Sequence, residues 1–477
     1  MKLPHRRPNF IVLAGLGILA FVQPTIAQTS PKKIAPVKFR DTRLDNGLRV
    51  ILVEDHYAPV YAIAVSYSVG SKDERQGRTG FAHLFEHMMF KGSEKVGAGE
   101  HFFLVFNYGG SMNGTTNTDR TVYYEILPKN QLDLGLFLES DRMRSLAITK
   151  ENLDNQRQAV KEERRLGLDN QPYGYSNDRL NELTYDNFAY HHSVIGSMQD
   201  LDAASVEDVQ AFFRTYYAPN NAALAIVGDI DAGDTLAKIQ KYFGSIPRQE
   251  APKPVDLTEP EMKGERHEAM EDKLARLSQV SMNYKIPSAT SDDAPALSAL
   301  ASILGGGETS RLYQKLVKEK EVCSAVNAGS AERLGPGALR VTCTVRQGKT
   351  MQEAESLISE EISRIIAAPV TEQELARVKT SARRSAVSVR ESALNRAVTI
   401  ANDASVYNDP NRINTQPEKL MAVSAADVQR AARTYLRNEN RILMETAPAN
   451  PAADRSPAAT NPAAHRSPAA TPKPPVQ

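Results

Sequence analysis

The sequence predicts an α+β protein that contains two homologous domains. Strand-like and helix-like patterns alternate over residues 36–246, and a second segment with the same alternation occupies residues 261–447. Between them, residues 247–260 contain four prolines and few apolar residues, which is typical of a linker. A motif that recurs once in each segment gives the third indication that the two domains are related.

Length and composition are those of a globular protein. The chain has 477 residues, of which 41% are hydrophobic and 24% are charged, and both fractions are close to those of average soluble domains. The 58 basic and 57 acidic residues nearly balance, so the net charge gives no indication of nucleic-acid binding. Two cysteines exclude a disulfide-dense scaffold and a zinc site with four thiolate ligands.

The first 27 residues have the pattern of a secretory signal peptide. Basic residues precede an apolar run at 10–22, and small residues lead to a cleavage position after Ala27. The run is shorter than the roughly 20 residues that a spanning helix needs, and an uncleaved anchor is the alternative. We therefore expect an exported protein without a membrane span in its mature form, periplasmic if the source is Gram-negative.

The C-terminal segment differs in kind from the rest of the chain. Residues 450–460 recur almost unchanged as residues 461–471, in a stretch rich in proline and alanine. Such a segment buries too little apolar surface to offset the entropy lost on ordering. We predict that residues 448–477 form a disordered tail, and a tether to the cell wall or to a partner is the alternative.

The first domain begins with two strand patterns, at 48–54 and 60–70, and the second of these alternates with period two. Helical periodicity then predicts four helices, at about 79–91, 131–147, 150–168 and 205–217.

An internal repeat links the two domains. The motif Ser-x-x-Asp-Val-Gln-x-x-x-Arg-Thr-Tyr occurs at 205–216 and again at 424–435, and a strand-like segment follows each copy, at 222–228 and 441–445. A match at seven of twelve positions is difficult to obtain by chance, so we infer that the domains are homologous.

The segment from Thr79 to Gly92 contains the residues that indicate chemistry. It reads as a short helix with Thr79 as a candidate N-cap and Gly92 as a candidate terminator. His83, Glu86 and His87 share one face of this helix, because residues three and four apart are neighbours. Two imidazoles one turn apart suit tetrahedral Zn²⁺, and a carboxylate beside them can accept a proton from water. A solvent-facing histidine pair is the alternative.

A third ligand is expected from the helix at 150–168. The apolar residues of this helix predict a buried stripe that contains Glu163 and leaves Glu162 on the surface; they are Leu153, Ala159, Val160 and Leu166. A carboxylate on a buried face is costly unless it meets a cation, so Glu163 is the better candidate ligand.

Four motifs together resemble the M16 (pitrilysin/insulinase) metallopeptidase family, in the subfamily of the processing peptidases and their bacterial relatives. They are His83-x-x-Glu86-His87, a glutamate 76 positions after the second histidine (Glu163), the segment Gly109–Tyr123, and the Gly-rich segment that begins at Gly305. The resemblance covers about 36–447. The family often has Glu where this chain has Gln156 and usually has Ala where it has Gly114.

The resemblance implies a fold and a way of holding substrate. Each domain would pack helices on a mostly antiparallel sheet, two domains would form one half of a clamshell, and a second subunit, identical or different, would close the chamber. Family members cut unfolded peptides that add a strand to a sheet edge, and by analogy that edge would be Asn113, Gly114 and Thr115. Arg340 is a candidate for the arginine that helps to hold substrate.

The resulting hypothesis is an exported zinc endopeptidase that acts on peptides or unfolded segments. One Zn²⁺ per chain would be held by His83, His87 and Glu163, with Glu86 as general base. The second domain has no His-x-x-Glu-His, so one metal site is expected. The alternative is a subunit that is active only with a second M16 subunit, or that serves as its binding partner.

Two further sets of residues allow more than one interpretation. Cys323 and Cys343 lie on strand-like runs that flank a turn near residue 333, so they are either a disulfide across two strands or two buried thiols. His191 and His192 lie in a polar, turn-like stretch, where we expect a loop role in preference to metal binding, and we expect His101 to be structural.

Overall fold

The computed structural model describes residues 34–449, so the predicted signal peptide and nearly all of the predicted tail lie outside the described residues. The strands are β1 (Arg40–Arg43), β2 (Arg49–Glu54), β3 (Val60–Tyr67), β4 (Ser111–Thr116), β5 (Thr121–Pro128), β6 (Ala222–Gly228), β7 (Arg266–Asp272), β8 (Gln279–Ile286), β9 (Cys323–Ala331), β10 (Gly337–Val345) and β11 (Arg441–Pro448). The helices are α1 (Phe81–Met88), α2 (Glu100–Asn107), α3 (Leu132–Arg144), α4 (Lys150–Arg164), α5 (Gly174–Thr184), α6 (Phe188–His191), α7 (Met198–Asp202), α8 (Val206–Tyr216), α9 (Ala232–Phe243), α10 (Ala294–Gly305), α11 (Met351–Ala367), α12 (Glu372–Glu391), α13 (Ala393–Val406), α14 (Arg412–Ala422) and α15 (Ala425–Tyr435).

The first sheet has six strands in the order β1-β2-β6-β3-β5-β4, and only the β2–β6 pair is parallel. Its strands are rich in Val, Ile and Tyr, which suit a pleated, buried surface. One face packs on α1, α3 and the start of α4 through a large apolar core. The strand β4 lies at one edge, beside α1 and α2.

The second sheet repeats the first with one strand fewer. Its order is β7-β11-β8-β10-β9, and only the β7–β11 pair is parallel. Strand for strand, this is the order and direction of β2-β6-β3-β5-β4. The expectation of an α+β protein with two related domains and mostly antiparallel sheets is therefore confirmed.

The repeated sequence motif forms the same structure twice. It begins α8 and α15, where Ser205 and Ser424 act as N-caps and accept hydrogen bonds from the amides of Asp208 and Asp427, at 3.1 and 3.2 Å. In both copies a short turn then leads into the later strand of the parallel pair, β6 or β11. Strand β11 ends at Pro448, so the first residue of the segment predicted as the tail belongs to the sheet.

A helix from the second half of the chain covers the other face of the first sheet. Four small or branched side chains of α13 pack against Ile51, Ala62, Ala225 and neighbouring strand residues; they are Ala397, Ile400, Ala401 and Ala404. The first sheet is therefore buried on both faces, and one of the two covering layers comes from residues beyond 390.

The two domains also meet at the turns beside their edge strands. Asp119, in the β4–β5 turn, is buried and accepts hydrogen bonds from the Tyr190 hydroxyl and the Leu334 amide, both at 2.9 Å. The Tyr190 hydroxyl in turn accepts from the Gly335 amide at 2.8 Å. Asp119 and Tyr190 thus hold the β4–β5 turn against the β9–β10 turn.

Cys323 and Cys343 form a disulfide, with their Cα atoms 6.0 Å apart. The two residues are not direct neighbours across the strand pair, because Cys323 faces Val345 and Cys343 faces Val326. A register shift between Thr344 and Val345 separates these pairs. The interpretation as two free thiols is therefore wrong, and the bond is a diagonal link between β9 and β10.

Candidate metal centre and active site

Helix α1 carries the candidate metal ligands His83 and His87 on the side opposite its buried face. Leu84, Phe85 and Met88 are buried in the first core, so the polar face of α1 points out of the core. The expected N-cap at Thr79 is wrong: Thr79 instead donates to Asp200, and Gly80 occupies the N-cap position in the left-handed region, with φ of 84°.

The N-terminus of α1 is capped from a distance by Glu74. The Glu74 carboxylate accepts from the amides of Gly80 and Ala82, both at 2.8 Å, and a negative charge at a helix N-terminus is favourable. His192 contacts the same carboxylate at 2.9 Å. Burial raises the pKa of Glu74, whereas the His192 contact opposes that shift. Sequence reasoning missed this pair, because 118 residues separate the two side chains.

His83, His87 and Glu163 converge beside α1. The Nε2 atom of His83 lies 3.5 Å from Glu163 Oε1, and the Nε2 atom of His87 lies 3.2 Å from Glu163 Oε2. The three side chains are 12%, 24% and 49% exposed, so the cluster opens towards solvent on the side of α4. Burial, aided by the neighbouring His87, lowers the pKa of His83 to about 4, which leaves the neutral imidazole that a metal requires.

This donor set fits a zinc ion. One candidate ligand atom from each of the three side chains lies within 4.8 Å of the others. Zinc–ligand bonds of about 2.0–2.1 Å at a tetrahedral centre place the ligand atoms about 3.3 Å apart. The distances from the two histidine Nε2 atoms to the Glu163 oxygens, 3.5 and 3.2 Å, are close to this value. Two imidazoles and one carboxylate also match the ligand chemistry of catalytic zinc sites with an open fourth position.

Glu163 meets the histidines, but for a different reason from the one predicted. The buried residues of α4 are Leu153, Gln156 and Val160, whereas Ala159 and Leu166 of the predicted stripe are exposed. Glu163 lies beside the buried face of α4, and its half-exposed side chain extends towards His83 and His87 of α1. Glu162 bonds Arg165 at the surface, at 2.9 Å. After Arg164 the helix widens into a π-helical turn, Arg165–Asp169.

Glu86 shares the polar face of α1 with the two histidines, and its carboxylate reaches the sheet edge. Its Oε2 atom accepts a hydrogen bond from the Thr116 hydroxyl on β4 at 2.6 Å. Burial raises the pKa of Glu86, and the Thr116 bond partly offsets this shift. A methyl group at Gly114 would lie 3.1 Å from Glu86 Cγ, so the glycine gives the Glu86 side chain room beside β4.

Strand β4 has a free edge among the described residues, because it pairs with β5 alone. The Asn117 amide donates to the Arg120 carbonyl, and antiparallel alternation from that pair turns the backbone groups of Met112, Gly114 and Thr116 away from β5. Consistent with this direction, the Gly114 amide donates to the Asn113 side chain at 2.8 Å. Of the predicted edge residues, Asn113 and Thr115 point their side chains to the exposed face of the strand.

Arg340 lies on β10, away from the histidine–glutamate cluster. Its guanidinium donates to Asn283 at 2.9 Å and to Asn177 at 3.4 Å, and burial lowers its pKa. None of its hydrogen bonds within residues 34–449 involves His83, His87, Glu86 or Glu163.

A second histidine–glutamate cluster lies inside the first domain. His101, Glu125 and Glu139 are buried together, and Arg142 forms an ion pair with Glu139. The Arg142 guanidinium also stacks on the Tyr123 ring, 4.6 Å from its centroid. Burial lowers the pKa of His101 to about 3 and raises that of Glu125 to about 7. Because Arg142 supplies the positive charge of this cluster, its arrangement is that of a structural ion network.

Two family models match the chain. The model of insulinase (peptidase family M16) matches residues 49–197, and the model described as the peptidase M16 inactive domain matches residues 203–382. His83, Glu86, His87 and Glu163 all lie within the first match.

Several proteins are similar to the chain over most of its length. Zinc protease PqqE of Helicobacter pylori is 29% identical over 437 residues, which cover 90% of this chain and 97% of the relative. The uncharacterised zinc protease YmxG of Bacillus subtilis is 24% identical over 331 residues, which cover 69% of this chain and 79% of the relative.

Solved structures share the fold. The crystal structure of a protease from Helicobacter pylori has a TM-score of 0.83 and 27% identity, and the match covers 87% of this chain and 100% of that one. The periplasmic protease PqqL from Escherichia coli has a TM-score of 0.72 and 20% identity, over 88% of this chain and 49% of PqqL. This chain therefore has the fold of about half of PqqL.

Proposed function

The chain belongs to the M16 family of peptidases, and we propose that it is an exported zinc-dependent endopeptidase that hydrolyses peptides or unfolded polypeptide segments. The convergence of His83, His87 and Glu163 beside Glu86 is the observation that supports this proposal. These three side chains would hold one Zn²⁺. Bound there, the ion would lower the pKa of a water molecule and polarise a peptide carbonyl.

Glu86 acts as the general base. Its carboxylate takes a proton from the attacking water, whose oxygen then bonds to the carbonyl carbon of the substrate. As the carbon–nitrogen bond breaks, Glu86 passes that proton to the leaving amine. Its position between the histidines and Gly114 of β4 supports this role, because a substrate strand on the β4 edge would lie within its reach.

The free edge of β4 explains a preference for unfolded substrate. The outward-facing backbone groups of Met112, Gly114 and Thr116 pair with an extended peptide, and such pairing is independent of sequence. Asn113 must release the Gly114 amide when the peptide binds. Folded proteins pair or cover most of their strands, so extended segments of unfolded chains are the expected substrates.

The test is the hydrolysis of a quenched peptide of about 20 residues, a length that spans the six-residue edge strand with room to spare. We expect activity that chelation removes and zinc restores, and a fall of about 10²–10⁴-fold in kcat for Glu86→Gln. The matched control is Glu162→Gln, a surface glutamate on α4 that should leave kcat unchanged. Full turnover by a zinc-loaded Glu86→Gln protein would refute the assignment of the base.

A second candidate is a subunit that is active only with another M16 subunit, or that serves as its binding partner. The observation that favours it is the match to about half of PqqL, whose single chain has twice that length. A clamshell closed by a second copy of this chain, or by a different M16 chain, would supply the other half. Sedimentation of the zinc-loaded protein, with activity measured across the same concentrations, distinguishes a self-sufficient homodimer from a chain that needs a companion.

Export is supported by the disulfide between Cys323 and Cys343, because such bonds persist in oxidising compartments. No helix between residues 34 and 449 has both the length and the hydropathy that crossing a membrane requires. In a Gram-negative source we place the protein in the periplasm. N-terminal sequencing of the protein recovered from that compartment should begin at Gln28, and recovery of the full-length chain from the cytoplasm would contradict export.

A further inference from the structure

Helix α2 exposes a row of aromatic side chains to solvent. Phe102, Phe103 and Phe106 are 37%, 63% and 54% exposed, whereas His101 and Val105 on the opposite side of the helix are buried. The outward face of a surface helix normally consists of polar residues. Among the described residues, four of the nine exposed large hydrophobic side chains lie between 102 and 108. Concentrated exposure of this kind indicates a binding surface.

The row contacts the segment that follows α1, and it precedes the edge strand in the chain. The Phe102 ring lies 5.0 Å from the Phe90 ring, and Phe90 is three residues beyond His87. The Phe106 ring continues the row, 6.2 Å from Phe102. After Phe106, α2 ends and a two-glycine turn leads directly into β4. The aromatic row and the free edge are therefore consecutive in the chain and adjacent in space.

A peptide paired with β4 would pass beside this row. Along a strand, every second side chain points to the same face of the sheet. One face of β4 is turned towards the helices. On that face Gly114 lies beside Glu86, and Met112 packs against the first core together with Leu104 of α2. Every second side chain of a peptide added to β4 would point to this helix side. Of these side chains, the ones that extend past Glu86 would lie next to α2.

We propose that the aromatic row of α2 selects substrates whose residues near the scissile bond are apolar or aromatic. This inference rests on the proposed function, because it takes the β4 edge as the substrate site. Phe102, Phe103 and Phe106 offer ring surface and no charge, so the side chains that complement them are apolar ones. The substrate class is then the apolar segments that folded proteins bury and unfolded proteins expose.

The test measures binding separately from hydrolysis. The chain contains no tryptophan, so a single tryptophan at the end of a peptide reports binding without background. Two peptides differ only at alternate positions, with Leu and Phe in one and Ser and Asn in the other, and both are titrated into Glu86→Gln protein. We expect the apolar peptide to bind about tenfold or more tightly, since each ring that it covers removes apolar surface from water.

Variants then locate the preference. In the same Glu86→Gln background, the double variant Phe103→Gln/Phe106→Gln should bind the two peptides equally, and Phe103→Leu/Phe106→Leu should keep most of the preference. Tyr57→Gln is the matched control, because Tyr57 is an exposed aromatic residue in the β2–β3 turn and should change neither dissociation constant. Unchanged melting temperatures establish that each variant is folded.

Two results would overturn the proposal. One is equal affinity of the parent protein for the two peptides. The other is an equal loss for both peptides in the Gln double variant together with a change in sedimentation, which would make α2 a contact between subunits. Failure of the proposed function gives a different result, because wild-type protein would then hydrolyse neither peptide while the difference in binding stayed measurable.

Discussion

The edge strands of the two sheets occupy equivalent positions and have opposite surroundings. Strand β4 has six residues, lies beside a helix with two histidines and a glutamate, and keeps a gap that the Glu86 side chain fills. Strand β9 has nine residues, is linked to β10 by the disulfide, and lies under α10, a helix of alanines and leucines. A Cβ atom at Gly305 of α10 would lie 2.1 Å from the Ala328 amide nitrogen, so no space separates that helix from the strand.

The same sheet topology can therefore serve different roles, depending on the helix that lies beside its edge strand. Strand order and direction are the same in the two sheets, so topology alone does not make the site. In the first domain the helix that follows β3, α1, presents polar side chains to the edge strand, and Glu86 lies between the two. In the second domain the corresponding helix, α10, packs directly on the edge strand β9. The disulfide links that edge strand to β10.

Removal of the third candidate ligand, Glu163, should reduce activity more than any other change considered below. We predict that Glu163→Gln lowers kcat/KM by about 10³-fold or more and reduces the zinc content measured by mass spectrometry. The adjacent Glu162→Gln variant should match wild type in both measurements, because Glu162 bonds only the surface residue Arg165 among the described side chains. Equal behaviour of the two variants would remove Glu163 from the site.

The disulfide gives the second largest effect, in stability alone. Its loop spans 20 positions, and removal of a link of that length costs about 3 kcal/mol of unfolding free energy. Cys323→Ser/Cys343→Ser should therefore lower the urea midpoint of the second domain, while kcat of the folded protein stays at the wild-type value. A proportional loss of activity under native conditions would show that the second edge takes part in catalysis.

The buried Glu125 gives a pH-dependent effect. Strands β5 and β10 occupy equivalent places in the two sheets, and β10 buries apolar residues and the disulfide. Strand β5 instead buries Glu125, and burial raises the pKa of this carboxyl to about 7. Since the unfolded chain titrates near 4.5, the native state binds the extra proton between these values, and stability falls as pH rises from about 4.5 to 7. Over that interval Glu125 costs about 3 kcal/mol of unfolding free energy.

Glu125→Gln mimics the protonated side chain and should flatten this part of the stability curve. Urea unfolding at pH 5 and pH 8 is the measurement, and the variant should be more stable than wild type at pH 8 and similar to it at pH 5. An identical pH dependence in the two proteins would mean that Glu125 is charged in the fold.

The smallest expected effect compares the two copies of the repeated motif. Ser205→Ala and Ser424→Ala each remove one N-cap and should each cost about 1 kcal/mol. Hydrogen exchange of the first-turn amides of α8 and α15 resolves the two helices separately. A clearly smaller loss at Ser205 would show that Asp208, which also pairs with Arg75 and Arg78, keeps the helix start in place.

Local patterns in the sequence predicted much of the fold and the centre of the site. Helical spacing was enough to bring His83 and His87 together, and the repeated motif correctly indicated two related domains. Glu163 was selected by a burial argument that is wrong, since α4 exposes Ala159 and Leu166. Its proximity to the histidines depends on how α1 packs against α4, and no periodicity within α4 encodes that packing.

Long-range contacts explain the remaining differences. Glu74 caps α1 from a separate loop and is contacted there by His192, and Asp119 bonds Leu334 across 215 positions of the chain. Thr79 was a reasonable N-cap by residue type, yet Asp200 competes for its hydroxyl. Such partners are chosen by the assembled fold, so a single sequence does not identify them.

The cover that α13 gives to the first sheet has a consequence for biosynthesis. The last strand of that sheet, β6, ends at Gly228, and α13 begins about 165 residues later. At 5–20 residues per second, a ribosome needs roughly 10–30 s to make the intervening chain. During that time the nascent sheet has an apolar face with no partner, so holding the growing chain unfolded protects it from aggregation better than early folding would.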